Sequence, residues 1–450
     1  VPKTPITGAN LKMSPGAYAY IPSSPLLYEW RAELDAPVIS TAVVRVRGEY
    51  AILVLTTQAK SPVSYAITSK GISRSRSVWS LAGISPGETL TSICTLGEKV
   101  FFASVSGIYE LRVGSHKTQH LTRIYYAQNT PWPLRNLSAT RCGGLDVLVA
   151  SFGLPMEDPD NAGLLVVCLR NDLTNVTVLP TSIGDSASPS LQYDPASSLL
   201  HVLVSTTNSG VILFCVCFED PSTLNSALRG SEWFTQTGTE FYTSRLIVSS
   251  LGEHFSHYLK DKSESTELQV RAVCMCGASA VVAVSAICET GQRLDVPVLL
   301  VISELLSCLS FSTIELDSLG CQGSSSGFGS DSFNICSLAP SSAIQGGLCL
   351  ACRKGSRFCV HRIPIESNGS ADGLLSTDIC ELAPSAHTFC AFYEMDKQLR
   401  CVFTSVDGWH LALCMANTEP DSSRRVRAKE EPKKEQGGKQ KRHKIRISTA

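Results

Sequence analysis

The chain has 450 residues, 43% hydrophobic and only 18% charged, against roughly 25% charged in an average soluble protein, which points to much of it being buried in sheets. Its 18 cysteines, about 4% of the chain, fall well short of the ~8–10% of a small disulfide scaffold. The formal net charge of −1 hides an uneven balance: from Arg424 onward there are 11 Lys and Arg against 3 Asp and Glu, while residues 1–423 carry 28 against 37.

Residues 1–37 are rich in Pro and Ser with short apolar pieces at 17–21 and 26–28. They read as an N-terminal arm or as a strand that closes a ring. From residue 38 apolar runs arrive in groups separated by turn residues, the pattern of consecutive strands. The first group is 39–47, 50–56, 64–68 and 78–79, and the second is 90–96, 100–105 and 108–113. The third is 134–140, 145–151, 163–169 and 176–179, and the fourth 190–193, 199–205 and 210–218. Between 219 and 267 the rhythm fails, and Phe255, Tyr258 and Leu259 fall at helical spacing, so an irregular insertion is expected there. A fifth group follows at 270, 281–287, 296–302 and 313–316, then a Gly- and Ser-rich loop at 320–332.

The phrase Ile335-Cys-Ser-Leu-Ala-Pro340 returns as Ile379-Cys-Glu-Leu-Ala-Pro384, 44 residues later, inside the ~40–45 residue period of a four-stranded propeller blade. Two further apolar runs follow each copy. Leading strands near Ile39, Leu90, Leu137, Leu191, Val270, Ile335 and Ile379 give seven groups, or eight if 241–250 starts its own. On this grouping residues 38–418 resemble a degenerate WD40-type β-propeller, without a Gly-His pair leading a blade or a Trp-Asp pair ending one. The resemblance implies an all-β ring of seven four-stranded blades that holds peptides or other subunits on its faces, without catalysis.

Several stretches invite a chemical reading. Ser405-Val-Asp407-Gly408-Trp409 resembles the Ser-x-Asp-x-Gly-x-x-Trp box of sialidases, but it is one residue short before Gly and two short before Trp; Asp-Gly reads as a hairpin turn. Cys349-Leu-Ala-Cys352 has the spacing of a zinc knuckle, yet residues three apart on a strand face opposite sides, and zinc needs a second pair. Cys215, Cys217, Cys274, Cys276, Cys349, Cys352, Cys359, Cys390, Cys401 and Cys414 lie in or beside apolar runs, where thiols act as small core hydrophobes. That usage suits a reducing, intracellular compartment. Residues 272–288 are uncharged, but Gly277-Ala278-Ser279 divides them as a hairpin would, so two buried strands are expected and no membrane partner. Gly-rich 324–330 lacks the lysine and helix of a phosphate loop. The sequons at Asn136, Asn175 and Asn368 matter only in a secreted protein.

The sharpest polar signal is the C-terminal tail, 419–450. Arg424, Arg425, Arg427, Lys433, Lys434, Lys439, Lys441, Arg442, Lys444 and Arg446 stand among almost no large apolar residues, so the tail is expected to be disordered. Such a run reads as a nuclear-import signal or a polyanion contact. It would bind RNA through phosphates, without base stacking, since no aromatic is interleaved. The resulting expectation is a non-catalytic scaffold with no cofactor, metal or catalytic residue. It would be a subunit of a nuclear or nucleolar assembly in ribosome biogenesis or chromatin, with protein subunits on the ring faces and the tail directing import or touching RNA. A cytoplasmic adaptor in trafficking or ubiquitin machinery, and a secreted carbohydrate-active propeller, are the alternatives.

Overall fold

The computed structural model describes residues 28–33, 36–46, 49–57, 63–68, 71–74, 88–112, 121–126, 133–153, 162–170, 173–181, 188–207, 209–218, 221–229, 241–259, 267–287, 293–316, 333–340, 347–354, 357–365, 375–381, 387–395, 398–405 and 410–416. These form strands almost throughout. β1 (Tyr28–Glu33) stands first, followed by β2 (Val38–Val46), β3 (Glu49–Thr56), β4 (Val63–Thr68) and β5 (Gly71–Arg74), which pair in that order as one sheet. The next sheet is β6 (Leu90–Leu96), β7 (Lys99–Ser104), β8 (Gly107–Arg112) and β9 (Leu121–Tyr126). Then come β10 (Arg135–Cys142), β11 (Leu145–Phe152), β12 (Gly163–Arg170) and β13 (Leu173–Pro180).

β14 (Ser190–Asp194), β15 (Leu199–Ser205) and β16 (Val211–Cys217) lead through α1 (Pro221–Ala227) to β17 (Tyr242–Val248), their fourth strand. α2 (Leu251–Leu259) precedes the sheet of β18 (Glu267–Cys276), β19 (Ser279–Ile287), β20 (Arg293–Ser303) and β21 (Ser310–Glu315). β22 (Phe333–Pro340), β23 (Gly347–Lys354), β24 (Arg357–Pro364) and β25 (Leu375–Glu381) make another sheet. β26 (His387–Met395), β27 (Gln398–Ser405) and β28 (His410–Ala416) complete the series, and β1 adds to β28 as their fourth strand. Every pairing is antiparallel, β1 with β28 included, where Glu33 stands opposite His410.

One expectation is corrected here. The repeated phrase does not mark equivalent positions: Ile335 lies on β22, the first strand of its sheet, whereas Ile379 lies on β25, the last strand of that same sheet, opposite Phe358. Both are sheet edges, where a nearby proline costs no ladder hydrogen bond, so a local phrase suits either place and carries no information about order. The strand that leads the last sheet is β26. Within 219–267, the described residues form α1, β17 and α2, and β17 is the fourth strand of the sheet of β14, β15 and β16.

The core lies between consecutive sheets. On β15, Leu200, Val202 and Val204 pack toward β10–β13, while Leu199 and Leu203 pack toward β18–β21 together with Leu224 of α1 and Leu251 and Phe255 of α2. Similar layers join β2–β5 to β6–β9, β6–β9 to β10–β13, and β18–β21 to β22–β25. Strands apolar on both faces, such as Leu145–Phe152 and Ser279–Ile287, are the consequence, since they are covered on both sides. Each fully buried Leu, Ile or Val contributes roughly 1.5–3 kcal/mol over its exposed state.

First strands of successive sheets lie against one another in chain order: β2 on β6, β6 on β10, β10 on β14, β14 on β18, β18 on β22 and β22 on β26. β1 lies against β5. Serine hydroxyls latch the first four of these contacts. Ser40 Oγ accepts from Ile93 N–H (3.3 Å), Ser92 Oγ accepts from Leu137 N–H (3.1 Å), Ser138 Oγ donates to Pro189 O (3.4 Å), and Ser190 Oγ accepts from Met275 N–H (2.9 Å). A small hydroxyl suits this place because it satisfies a neighbouring strand's backbone without holding the two strands apart.

Candidate functional site

The tail, with all 11 of its Lys and Arg from Arg424 to Arg446, lies outside the described residues, as does the Gly- and Ser-rich loop at 320–332. Ser405 ends β27 and His410 begins β28, with 406–409 between them outside the described residues. Cys349 and Cys352 are both buried on β23, and Cys352 packs in the core shared with the preceding sheet. Residues 272–287 of the uncharged run are the end of β18, the turn at Gly277-Ala278, and β19. Among the described residues no helix is long and apolar enough to cross a membrane, and no group of three or more His, Cys, Asp or Glu is placed to hold a metal ion.

Three constellations of buried polar groups stand out. In the first, Glu88 precedes β6 and reaches the turn between β7 and β8. Its Oε1 accepts from Ser104 Oγ (2.5 Å) and Ser106 Oγ, and its Oε2 accepts from the Tyr109 hydroxyl. Ser104 Oγ in turn accepts from Ser106 N–H (3.2 Å) and Gly107 N–H (3.0 Å). Burial, and after it the Glu88 carboxylate, pushes the Tyr109 phenol upward. The tyrosine therefore stays a protonated donor, and the carboxylate is spent on hydroxyls of its own sheet. Chemically this is a clasp that fixes a turn.

The second joins two sheets by charge. Lys99 Nζ on β7 lies 2.6 Å from Asp146 Oδ2 on β11 and 4.0 Å from Glu110 Oε1 on β8, and Arg141 Nε on β10 lies 3.2 Å from Asp146 Oδ1. Asp146 and Glu110 are buried, whereas both cations keep contact with solvent. The third centres on Asp295 of β20, also buried. Its Oδ1 accepts from Ser285 Oγ (2.5 Å) and its Oδ2 from Ile335 N–H (2.6 Å), tying β18–β21 to β22, with Arg271 Nε 3.9 Å away. A carboxylate fully engaged in this way is costly to remove, because its partners are left unpaired in a buried place.

Among the described residues the cysteines form no disulfide and are mostly buried. Burial pushes Cys142 and Cys215 up to about 12, so neither supplies a thiolate at neutral pH. Two sulfurs touch: Cys274 Sγ and Cys276 Sγ are 3.8 Å apart.

The outer surface is different. Tyr126 on β9, Val176 and Val178 on β13, Leu246 on β17 and Phe311 on β21 are exposed, and each sits on the fourth strand of its sheet. Arg123 lies over the Tyr126 ring at 4.6 Å, and His254 of α2 stacks on Phe311 at 4.4 Å. Sheet edges with exposed apolar side chains favour protein contact.

The sequence reading missed Glu88, Asp146 and Asp295, since lone acidic residues in apolar surroundings carry no spacing rule. It also missed a signal that was present: second strands run apolar and then meet a buried hydroxyl at Thr56, Ser104, Ser151, Ser205 and Ser285. Where the third strand opens on glycine the reason is close approach. A Cβ on Gly107 would stand 2.2 Å from Tyr125 O, and one on Gly163 would stand 2.8 Å from Leu179 O.

No protein-family model matches this chain, and no curated protein matches it. Of the solved structures that resemble it, one is a chain in an S. cerevisiae assembly described as Dbp5 bound to Nup159, Gle1, IP6 and ADP. The identity is 10% and the TM-score 0.43, over 88% of this chain and 96% of that one. The strand pairing is accordingly what defines the fold here: all-β, built of several four-stranded antiparallel sheets.

Proposed function

We propose that the sheets are the blades of a seven-bladed propeller and that the protein is a non-catalytic scaffold. The observation that carries this reading is the order of contacts. First strands touch in succession from β2 to β26, while β1 both pairs with β28 and lies against β5, so the N-terminal strand fastens the last sheet to the first. A ring of this kind buries both faces of each sheet and leaves turns and outer strands for partners. The polar constellations support the non-catalytic half, because their carboxylates are engaged by hydroxyls, backbone and cations of the chain itself.

The acidic body and basic tail support a place in a nuclear or nucleolar assembly, in ribosome biogenesis or chromatin, with the tail acting in import or on RNA. Deleting 424–450 tests the tail. The expected result is loss of nuclear accumulation and of RNA retention at low salt, the latter with a salt slope of about 0.7 per phosphate contact on single strands. Unchanged localisation together with unchanged salt-dependent RNA binding overturns it. Affinity purification of the full chain tests the scaffold: ribosome-assembly or chromatin subunits are expected, and recovery of coat or ligase subunits instead overturns the assignment.

A further inference from the structure

Cys274 and Cys276 occupy alternate positions of β18 and so project from one face. Their sulfurs are 3.8 Å apart and both side chains are buried. The strand between them is pinned, since Met275 N–H donates to Ser190 Oγ at 2.9 Å. Cys276 is followed at once by the turn Gly277-Ala278, both exposed. Cys276 therefore lies beside the exposed turn, with Cys274 two residues further back along the buried strand.

The separation discriminates among ligands. A disulfide needs sulfurs at about 2.05 Å, and extended chain puts residues two apart at about 6.6 Å between Cα atoms, near the upper limit for bridging. A single bridging atom bonded to each sulfur at ~2.3 Å spans 3.8 Å at an angle of about 110°. That angle suits a pyramidal or tetrahedral centre and not a linear one. A tetrahedral metal ion would need further ligands, and no third His, Cys, Asp or Glu is placed to join among the described residues. Charge narrows the choice again. The contact with Cys276 first, then burial, holds the Cys274 thiol well above the ordinary range. A bridge that leaves two thiolates and a net negative charge in this core is disfavoured, whereas a neutral dithiol adduct is not.

We propose that Cys274 and Cys276 form a dithiol receptor for trivalent arsenic compounds. The step is a condensation without redox change. An organoarsenic(III) oxide, R–As=O, forms one As–S bond to each sulfur, the two thiol protons leave with the oxide oxygen as water, and arsenic stays trivalent.

The test uses the native full chain and phenylarsine oxide. One equivalent is expected to remain bound through washing with excess monothiol and to leave on addition of ethanedithiol, which distinguishes a two-sulfur bridge from single-thiol labelling. Cys276→Ser and Cys274→Ala should each lower retention about 100-fold, the gain that simultaneous attachment supplies. Cys352→Ser should retain the adduct. If either pair variant fails to fold by circular dichroism, proteolytic mapping of the labelled wild-type chain decides, and the bridge must join Cys274 to Cys276. Retention by both folded pair variants, a bridge at other cysteines, or no monothiol-resistant adduct on the folded wild type overturns the proposal.

Discussion

The ends of β7 and β15 are the same place in two sheets, and they are finished differently. Ser104 closes β7 and Ser205 closes β15, each buried and each the last residue of a second strand. Ser104 is satisfied by Glu88 and by the N–H groups of Ser106 and Gly107. Ser205 Oγ has no hydrogen-bond partner, and neither have His201 Nε2 and Thr243 Oγ1 in the same sheet. The cause is the turn. The one after β15 runs on to Gly210, and Thr206 takes over the clasp: its Oγ1 accepts from Gly210 N–H (3.0 Å) and its N–H donates to Gly210 O (2.9 Å). A longer turn shifted the work by one residue and stranded the hydroxyl behind it. Equivalent positions therefore carry unequal energies, and the sheet of β14–β17 holds most of the uncompensated ones among the described residues.

The largest effect should come from the satisfied region. Gly107→Ala drives a Cβ to 2.2 Å from Tyr125 O, a backbone atom of β9 that cannot swing aside. A loss of about 3 kcal/mol is expected from overpacking, read as a lower urea midpoint. Glu88→Ala comes next. It leaves the buried Tyr109 hydroxyl without its acceptor, while Ser104 Oγ keeps Gly107 O at 3.1 Å, and should cost about 2 kcal/mol. If Glu88→Ala is silent, the clasp is not what distinguishes the two sheets.

The contrast also shows what could be read from the chain. Strand after strand was legible, because apolar runs bounded by Gly, Asp and Ser are a local signal, and six of the seven expected leading strands are first strands of their sheets. The seventh failed where a local phrase was asked for non-local information. Ile335 and Ile379 both make good edge strands, and nothing in either phrase says which edge. Of the candidate chemistry, the thiols of Cys215, Cys217, Cys274, Cys276, Cys349 and Cys352 were legible as core residues. Glu88 and Asp295 were not, since each acts on a partner distant in sequence, Tyr109 and Ile335, whose position only the packed sheets define.

Acid should act on the unsatisfied region. His201 faces Cys215 across β15 and β16, and Cys215 faces Thr243 on β17. Burial pushes His201 below its ordinary 6.5, and Asp194 pulls it partly back. With the folded value below the unfolded one, the unfolded chain takes up the proton first. The contribution to stability is thus complete above about 6.5 and declines as pH falls from there through the folded value, by at most about 1.4 kcal/mol per pH unit. Urea midpoints between pH 7 and pH 5 should fall, and His201→Gln should flatten that part of the profile. A slope unchanged in the variant would place the acid sensitivity elsewhere.

The smallest effect has the opposite sign, and it is the most direct test of the comparison. Ser104→Ala deprives two backbone N–H groups and a carboxylate of their partner and should cost about 1–3 kcal/mol. The same substitution at Ser205 removes a buried hydroxyl that bonds to nothing, so it should be neutral or raise stability by up to ~1 kcal/mol. Volume and burial are matched at the two sites, so the difference between the two urea midpoints reports hydrogen bonding alone. Equal losses would mean that the Ser205 hydroxyl is satisfied in solution, most simply by a trapped water, and that the sheet of β14–β17 is no weaker than its neighbour.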